Sequence, residues 1–279
     1  MQERDYPSTL DKLINYGNCR EMDGKNWPNY PEELGITSEF IPELIRLATD
    51  ETFDEADSDS LEIWAPVHAW RTLGQLHAEE AIEPLLKLFE YRDNDWMVDE
   101  LPIVYSMIGP KAIPALSDYL ANVENEMFAR TSAMDCLEKI AQVHPEHYSE
   151  CVNILTQQLE KFNENDIELN AFLVSALVNL KAVESASTIE RALMSECVEE
   201  FISGDWEDVQ IELGLKSERE VPRKTFNFIP TSEIDKQKKG MASMLGMPLE
   251  KSPRRPANLK AKAKRKQAQK SRKKNRKKK

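Results

Sequence analysis

One spacing constrains this chain more than any other feature. Val67, Trp70, Leu73, Leu76, Ala81, Ile82, Leu85 and Phe89 meet an apolar residue at every position when the sequence is shifted by 31, namely Val98, Leu101, Val104, Met107, Ala112, Ile113, Leu116 and Leu120. A shift of 64 brings the first four onto Thr131, Met134, Leu137 and Ile140. A shift of 104 brings them onto Ala171, Val174, Leu177 and Leu180, with Ile189 and Leu193 under the last two. The third unit needs about six extra residues, near 144–149, before Val152, Leu155 and Leu159 fall into register.

Within each unit the apolar positions recur at three and four residues, which is the period of an amphipathic helix and not of a strand. Pro66, Pro84, Gly109-Pro110, Pro114 and Pro145 punctuate the units between or at the starts of helices. Each unit therefore reads as two short helices. A pair this short cannot cover its own apolar face, and stacking on its neighbours does so. The expected fold is all-α, a solenoid of about four to five helix pairs.

The pattern extends in both directions. Phe40-Ile41-Pro42-Glu43-Leu44-Ile45-Arg46-Leu47 parallels Ala81-Ile82-Glu83-Pro84-Leu85-Leu86-Lys87-Leu88, so residues 9–16 become a first helix and 17–35 an irregular connection. Residues 204–213, opening Gly204-Asp205-Trp206-Glu207-Asp208-Val209, read as a short closing helix with a polar outer face. The expected divisions are 1–35 for the N-terminal helix and connection and 36–215 for the repeats and cap. A linker over 216–250 and a tail over 251–279 complete the chain.

The segments Leu73-Gly74-x-Leu76, Ala81-Ile82-x-Pro84-Leu85-Leu86 and Ile108-Gly109-Pro110-x-Ala112-Ile113-Pro114-x-Leu116 resemble HEAT repeats of the phycobilisome-lyase-like class, over roughly residues 36–213. The closing Gly-Asp-Trp-Glu-Asp-Val segment is similar to that of uncharacterised bacterial HEAT proteins. The tetratricopeptide alternative, suggested by Trp70-x-x-Leu73-Gly74, lacks the expected Tyr at His77 and the small residues at Leu86 and Asp93. The HEAT resemblance implies a binding scaffold, and its class name implies an alternative, a bilin-lyase-like enzyme or accessory subunit. The fold alone does not select between them.

Composition narrows the chemistry. The four histidines are His68, His77, His144 and His147, and none precedes a Glu, so the repeated His-Glu pairs of a deoxyhypusine hydroxylase di-iron site are missing. His144-Pro145-Glu146-His147 brings two imidazoles close in sequence, but the proline favours a loop over a metal site. The four cysteines, Cys19, Cys136, Cys151 and Cys197, form no Cys-x-x-Cys pair and read as reduced thiols of a cytoplasmic protein. No run approaches the ~20 apolar residues of a membrane span, and the N-terminus carries no secretory pattern. No cofactor, metal or catalytic residue is expected.

The expected partner surface is protein-binding. By analogy with HEAT proteins, the second helices, 79–89, 111–120, 151–159 and 185–193, face the partner. They contribute Glu79, Glu83, Lys87, Asp118, Gln158 and Glu190; Trp64 and Trp96, outside the repeating core positions, are candidate aromatic anchors, with packing into the core as the equal alternative. Carboxylates cluster at the unit starts, including Asp54, Glu55, Asp93, Asp95, Asp99, Glu100, Glu124, Glu126, Glu164, Asp166 and Glu168. Helix capping accounts for about half of them, and the rest would line one edge with negative charge suited to a basic partner.

Charge is divided along the chain. Residues 251–279 carry 16 of the 37 Lys and Arg and none of the 49 Asp and Glu, leaving the first 250 residues with a net charge of −28. A body of that sign would repel a duplex, which argues against a HEAT-fold DNA glycosylase. The tail, with Lys264, Arg265, Lys266, Arg272, Lys273, Lys274, Arg276 and Lys277 at its densest, is expected to be disordered when free. Contact with RNA or ribosomes through phosphate neutralisation fits it best. A nuclear-import signal fits if the source is eukaryotic, and a solubilising or self-docking role is the remaining reading.

Overall fold

A computed structural model describes residues 6–19, 22, 27–55, 60–90 and 95–222, the side chains of residues 54, 55, 95 and 96 excepted. The chain divides into two units, Met1–Glu220 and Val221–Lys279. The linker from 223 and the whole basic tail lie outside the described residues. The first unit is all-helical, with no strand among the described residues.

The helices form two ranks. The first holds α1 (Ser8–Ile14), α4 (Ala65–Gln75), α6 (Asp95–Ile108), α8 (Met127–Val143), α10 (Ile167–Asn179) and α12 (Glu200–Ser203). The second holds α3 (Ile41–Ala48), α5 (Ile82–Leu86), α7 (Ile113–Ala121), α9 (Tyr148–Glu160), α11 (Ala186–Met194) and α13 (Trp206–Glu212). Each helix packs on the next of its own rank, and α3, α7 and α9 also pack on the first-rank helix that succeeds them. An extra short helix, α2 (Tyr30–Leu34), packs on α1 and α4 within the stretch expected to be irregular.

The apolar repeat supplies the core between the ranks. Trp70, Leu73, Leu101, Val104, Met134, Leu137, Val174 and Leu177 are all buried on the first-rank side, and Leu85, Leu116, Leu155 and Ile189 meet them from the second. Val98 departs from the repeat. It is 47% exposed, although its counterpart Val67 is buried. It stands in the first turn of α6, beside a cavity and not within the core. Gly74 has a packing reason: a Cβ there would come within 3.3 Å of the Val104 Cα, so the residue permits the close approach of α4 and α6.

Local chemistry sets the helix ends. Pro42, Pro66 and Pro114 occupy the first turn of α3, α4 and α7, where a missing N–H costs nothing. The expected loop at 144–149 is a 3-10 turn, Pro145–His147, running directly into α9. Pro102 lies inside α6 and cannot bond the carbonyl of Val98. At α13 the Asp205 side chain accepts the Asp208 N–H at 3.0 Å while Asp208 accepts from the Asp205 N–H at 3.4 Å, a reciprocal cap.

Two polar devices repeat with the helices. Arg130 and Asn170, each four residues before a core position of its first-rank helix, donate to Leu120 O at 2.7 Å and Phe162 O at 2.9 Å. Both therefore satisfy a carbonyl at the end of the preceding second-rank helix or just beyond it. His77 and Lys181 hold left-handed backbone, φ 51° and 57°, at equivalent turns between ranks. The His77 ring bonds Met107 O, and Lys181 Nζ donates to Glu212 O at 2.7 Å, so each turn is pinned to a carbonyl one repeat further on.

Candidate functional site

The most chemically loaded group in the unit lies beneath the N-terminal segment. His68, Arg71 and Gln75 share one face of α4, at a spacing of three and four. Gln75 accepts the Tyr30 N–H at 3.0 Å and donates to Pro28 O at 2.7 Å, fixing residues 28–30 along the helix. His68 Nε2 lies 3.0 Å from Gly17 O, and a carbonyl only accepts, so that nitrogen carries the proton. Nδ1 must then accept the Tyr30 O–H at 2.8 Å. The Tyr30 oxygen in turn accepts Arg71 Nη1 at 3.3 Å.

Arg71 continues the network to α6. Its Nε donates to Glu100 Oε2 at 2.8 Å, its Nη2 donates to Oε1, and Trp70 Nε1 adds a third donor at 3.1 Å. The Trp27 ring faces the guanidinium at 5.1 Å. Arg71 is fully buried and Glu100 nearly so.

Cys19 completes the group, its Sγ 3.7 and 3.6 Å from the two His68 nitrogens. A thiol beside an imidazole raises the question of nucleophilic catalysis. The environment opposes it. Burial pushes the Cys19 thiol up to about 12 and the His68 imidazole down to about 4, so thiol and ring are neutral near pH 7. The one imidazole lone pair is already taken by Tyr30. Cys19, Tyr30, His68 and Arg71 are enclosed, with no surface offered to a substrate. The arrangement is a latch that fastens Gly17, Cys19 and residues 27–30 to α4.

The surface offers a different kind of site. A cavity of about 300 Å³ opens where α6 and α8 meet the chain after α5. Leu88, Phe89, Met97, Val98, Leu101 and Phe128 form its apolar wall, and Thr131 and Ser132 supply hydroxyls. A second cleft, about 40 Å³, lies beside it between the end of α3 and α4, sharing Leu88 and Met97 and edged by Asp50 and Glu51. Phe128 is 47% exposed, and its ring meets Phe172 of α10 edge-on at 6.3 Å. Leu61, Ile167 and Phe201, in or just before the first turns of α4, α10 and α12, are further exposed apolar residues at first-rank helix starts.

No protein-family model, no curated protein and no solved structure matches this chain.

The residues singled out in the sequence fall into distinct settings. Glu79, Glu83, Lys87, Asp118 and Glu190 are exposed on the second rank or the turns flanking its helices, and Glu79 is engaged with Lys111 at 2.9 Å. Gln158 is not a surface residue: it is 4% exposed and donates to Asn165 Oδ1 at 2.8 Å. Trp64 follows the packing alternative and not the anchor role: at 7% exposure it packs into the core ahead of α4. The Trp96 side chain lies outside the described residues, as do Lys264, Arg265, Lys266, Arg272, Lys273, Lys274, Arg276 and Lys277. His144 and His147 bond separate partners, Ser106 O at 2.8 Å and Glu150 at 2.9 Å. Among the described residues no group of three or more His, Cys, Asp or Glu is placed to hold a metal. No helix among them is long and apolar enough to cross a membrane.

Sequence reasoning missed both the latch and the cavity. His68 and Cys19 are 49 residues apart, and no periodicity links them. The cavity had one readable sign, an apolar residue such as Phe128 standing outside the repeating core positions.

Proposed function

We propose that residues 36–215 form a HEAT-like α-solenoid that serves as a non-catalytic, cytoplasmic scaffold or adaptor. On this reading the acidic body binds a protein partner, and the basic tail contacts RNA or another polyanion. The observation that carries the reading is the charge division: −28 over the first 250 residues against 16 cations and no anion in the last 29. One chain thus presents two surfaces of opposite sign, which favour different partners. The two ranks of short helix pairs support the solenoid half, because such stacks expose long faces without a deep reaction centre. The enclosed state of the Cys19–His68 pair supports a non-catalytic role.

The tail half is tested by fluorescence anisotropy with a short unstructured RNA. Affinity should fall steeply with salt and vanish on deletion of 251–279, as expected when cations displace condensed counterions. RNA affinity unchanged by the deletion would refute tethering through the tail.

A further inference from the structure

We propose that the groove formed by the Val98–Phe128 cavity and the adjoining α3–α4 cleft is the docking surface for a basic amphipathic segment of the partner protein. The inference rests on the adaptor reading and specifies its partner. Shape and charge together carry it. In shape, an apolar cavity of about 300 Å³ neighbours a smaller one, and Leu88 and Met97 line both. Two neighbouring depressions suit two apolar side chains one helical turn apart, the pattern by which an amphipathic helix enters a groove.

In charge, the surroundings are acidic. Asp50 and Glu51 line the smaller cleft, and Glu90, Asp99 and Glu126 stand within two residues of Phe89, Val98 and Phe128. Among the described residues the exposed cations at comparable positions are Lys87, next to Leu88, and Arg46, two residues from Ala48, whose guanidinium lies over the Tyr6 ring. An apolar floor with an acidic rim complements a segment that carries Leu or Phe on one side and Lys or Arg around it. It disfavours pairing of this face with the same face of a second copy, which would bring one negative rim against another. A neutral apolar small molecule would gain nothing from the rim.

The test uses the full chain and two labelled synthetic peptides with the same Leu and Phe face, one flanked by lysines and one by glutamates. The lysine peptide should bind the native chain, and Phe128→Glu should weaken that binding at least tenfold. Asp99→Lys, an exposed change that leaves the apolar floor intact, should weaken it severalfold and reduce its salt dependence. The tail is present in every form, so its affinity for the glutamate peptide should be the same in all three. Equal binding of the lysine peptide by native and Phe128→Glu chains, with both melting cooperatively, would overturn the proposal. So would a dimer in sedimentation that Phe128→Glu dissociates. If the groove fails this test while the body still retains protein partners, the adaptor reading survives without it.

Discussion

Arg71 and Glu100, 29 residues apart on α4 and α6, form a two-pronged ion pair that water does not reach. Trp70 and Tyr30 satisfy remaining sites on the carboxylate and around the guanidinium, so each charge has several partners. Removing one charge leaves the other buried and uncompensated. Glu100→Gln or Arg71→Met should each cost about 3–5 kcal/mol, read as a lowered urea midpoint. The double variant Arg71→Met/Glu100→Leu should recover much of that loss.

His68 should make the fold sensitive to acid. Burial is the main cause of its depressed value, and the nearby Arg71 charge adds to it, while the bond to Gly17 O opposes both. Its folded value near 4 lies below the usual 6.5, so the unfolded chain takes up the proton first as pH falls. Stability is therefore lost between about pH 6.5 and 4, by up to about 3 kcal/mol from this group. Denaturant midpoints measured across that range should show a flatter slope in His68→Gln than in the native chain.

Asp135 should act in the opposite sense. Burial, helped by the Glu138 charge, pushes its carboxyl up to about 7. The folded chain then holds this proton more tightly than the unfolded chain, so stability falls as pH rises from about 4 to 7. Asp135→Asn should raise the melting temperature at pH 8 more than at pH 4. An equal shift at both values would show that the carboxyl ionises normally.

Thiol accessibility should separate the cysteines. Cys19, Cys136 and Cys151 are buried and Cys197 is partly exposed, and burial raises the first three well above the range where a thiolate forms. A thiol reagent should therefore label one site rapidly in the native chain and all four in denaturant. Cys197→Ser should abolish the rapid phase.

Gly204 should tolerate no side chain. Its φ is 79°, and a Cβ would fall 2.9 Å from atoms of the Asp208 side chain, which caps α13. Gly204→Ala should destabilise the unit by about 1–3 kcal/mol, visible as a lower melting temperature.

The helix pairs were legible because burial of one stripe per helix imposes a three-and-four spacing that survives sequence divergence within the chain. The second-rank helices fall close to their expected spans, as with 185–193 against α11 and the turn before it. Val98 shows the limit of periodicity: it fits the stripe but lies where the packing opens. Gln158 and Trp64 show another, because whether a side chain faces in or out depends on its neighbours across the interface. The latch was beyond reach for a different reason. Its members come from the connection after α1 and from α2, α4 and α6, which no single periodicity links, and a buried Arg or Glu runs against what residue type alone suggests.

The decisive measurement is quantitative affinity capture with three forms: the native chain, residues 1–250, and residues 1–250 carrying Phe128→Glu. An acidic adaptor retains a reproducible protein with a basic amphipathic segment on the tail-free form and loses it with Phe128→Glu. If the tail-free form melts cooperatively yet recovers no reproducible protein, the body is not the adaptor proposed for it.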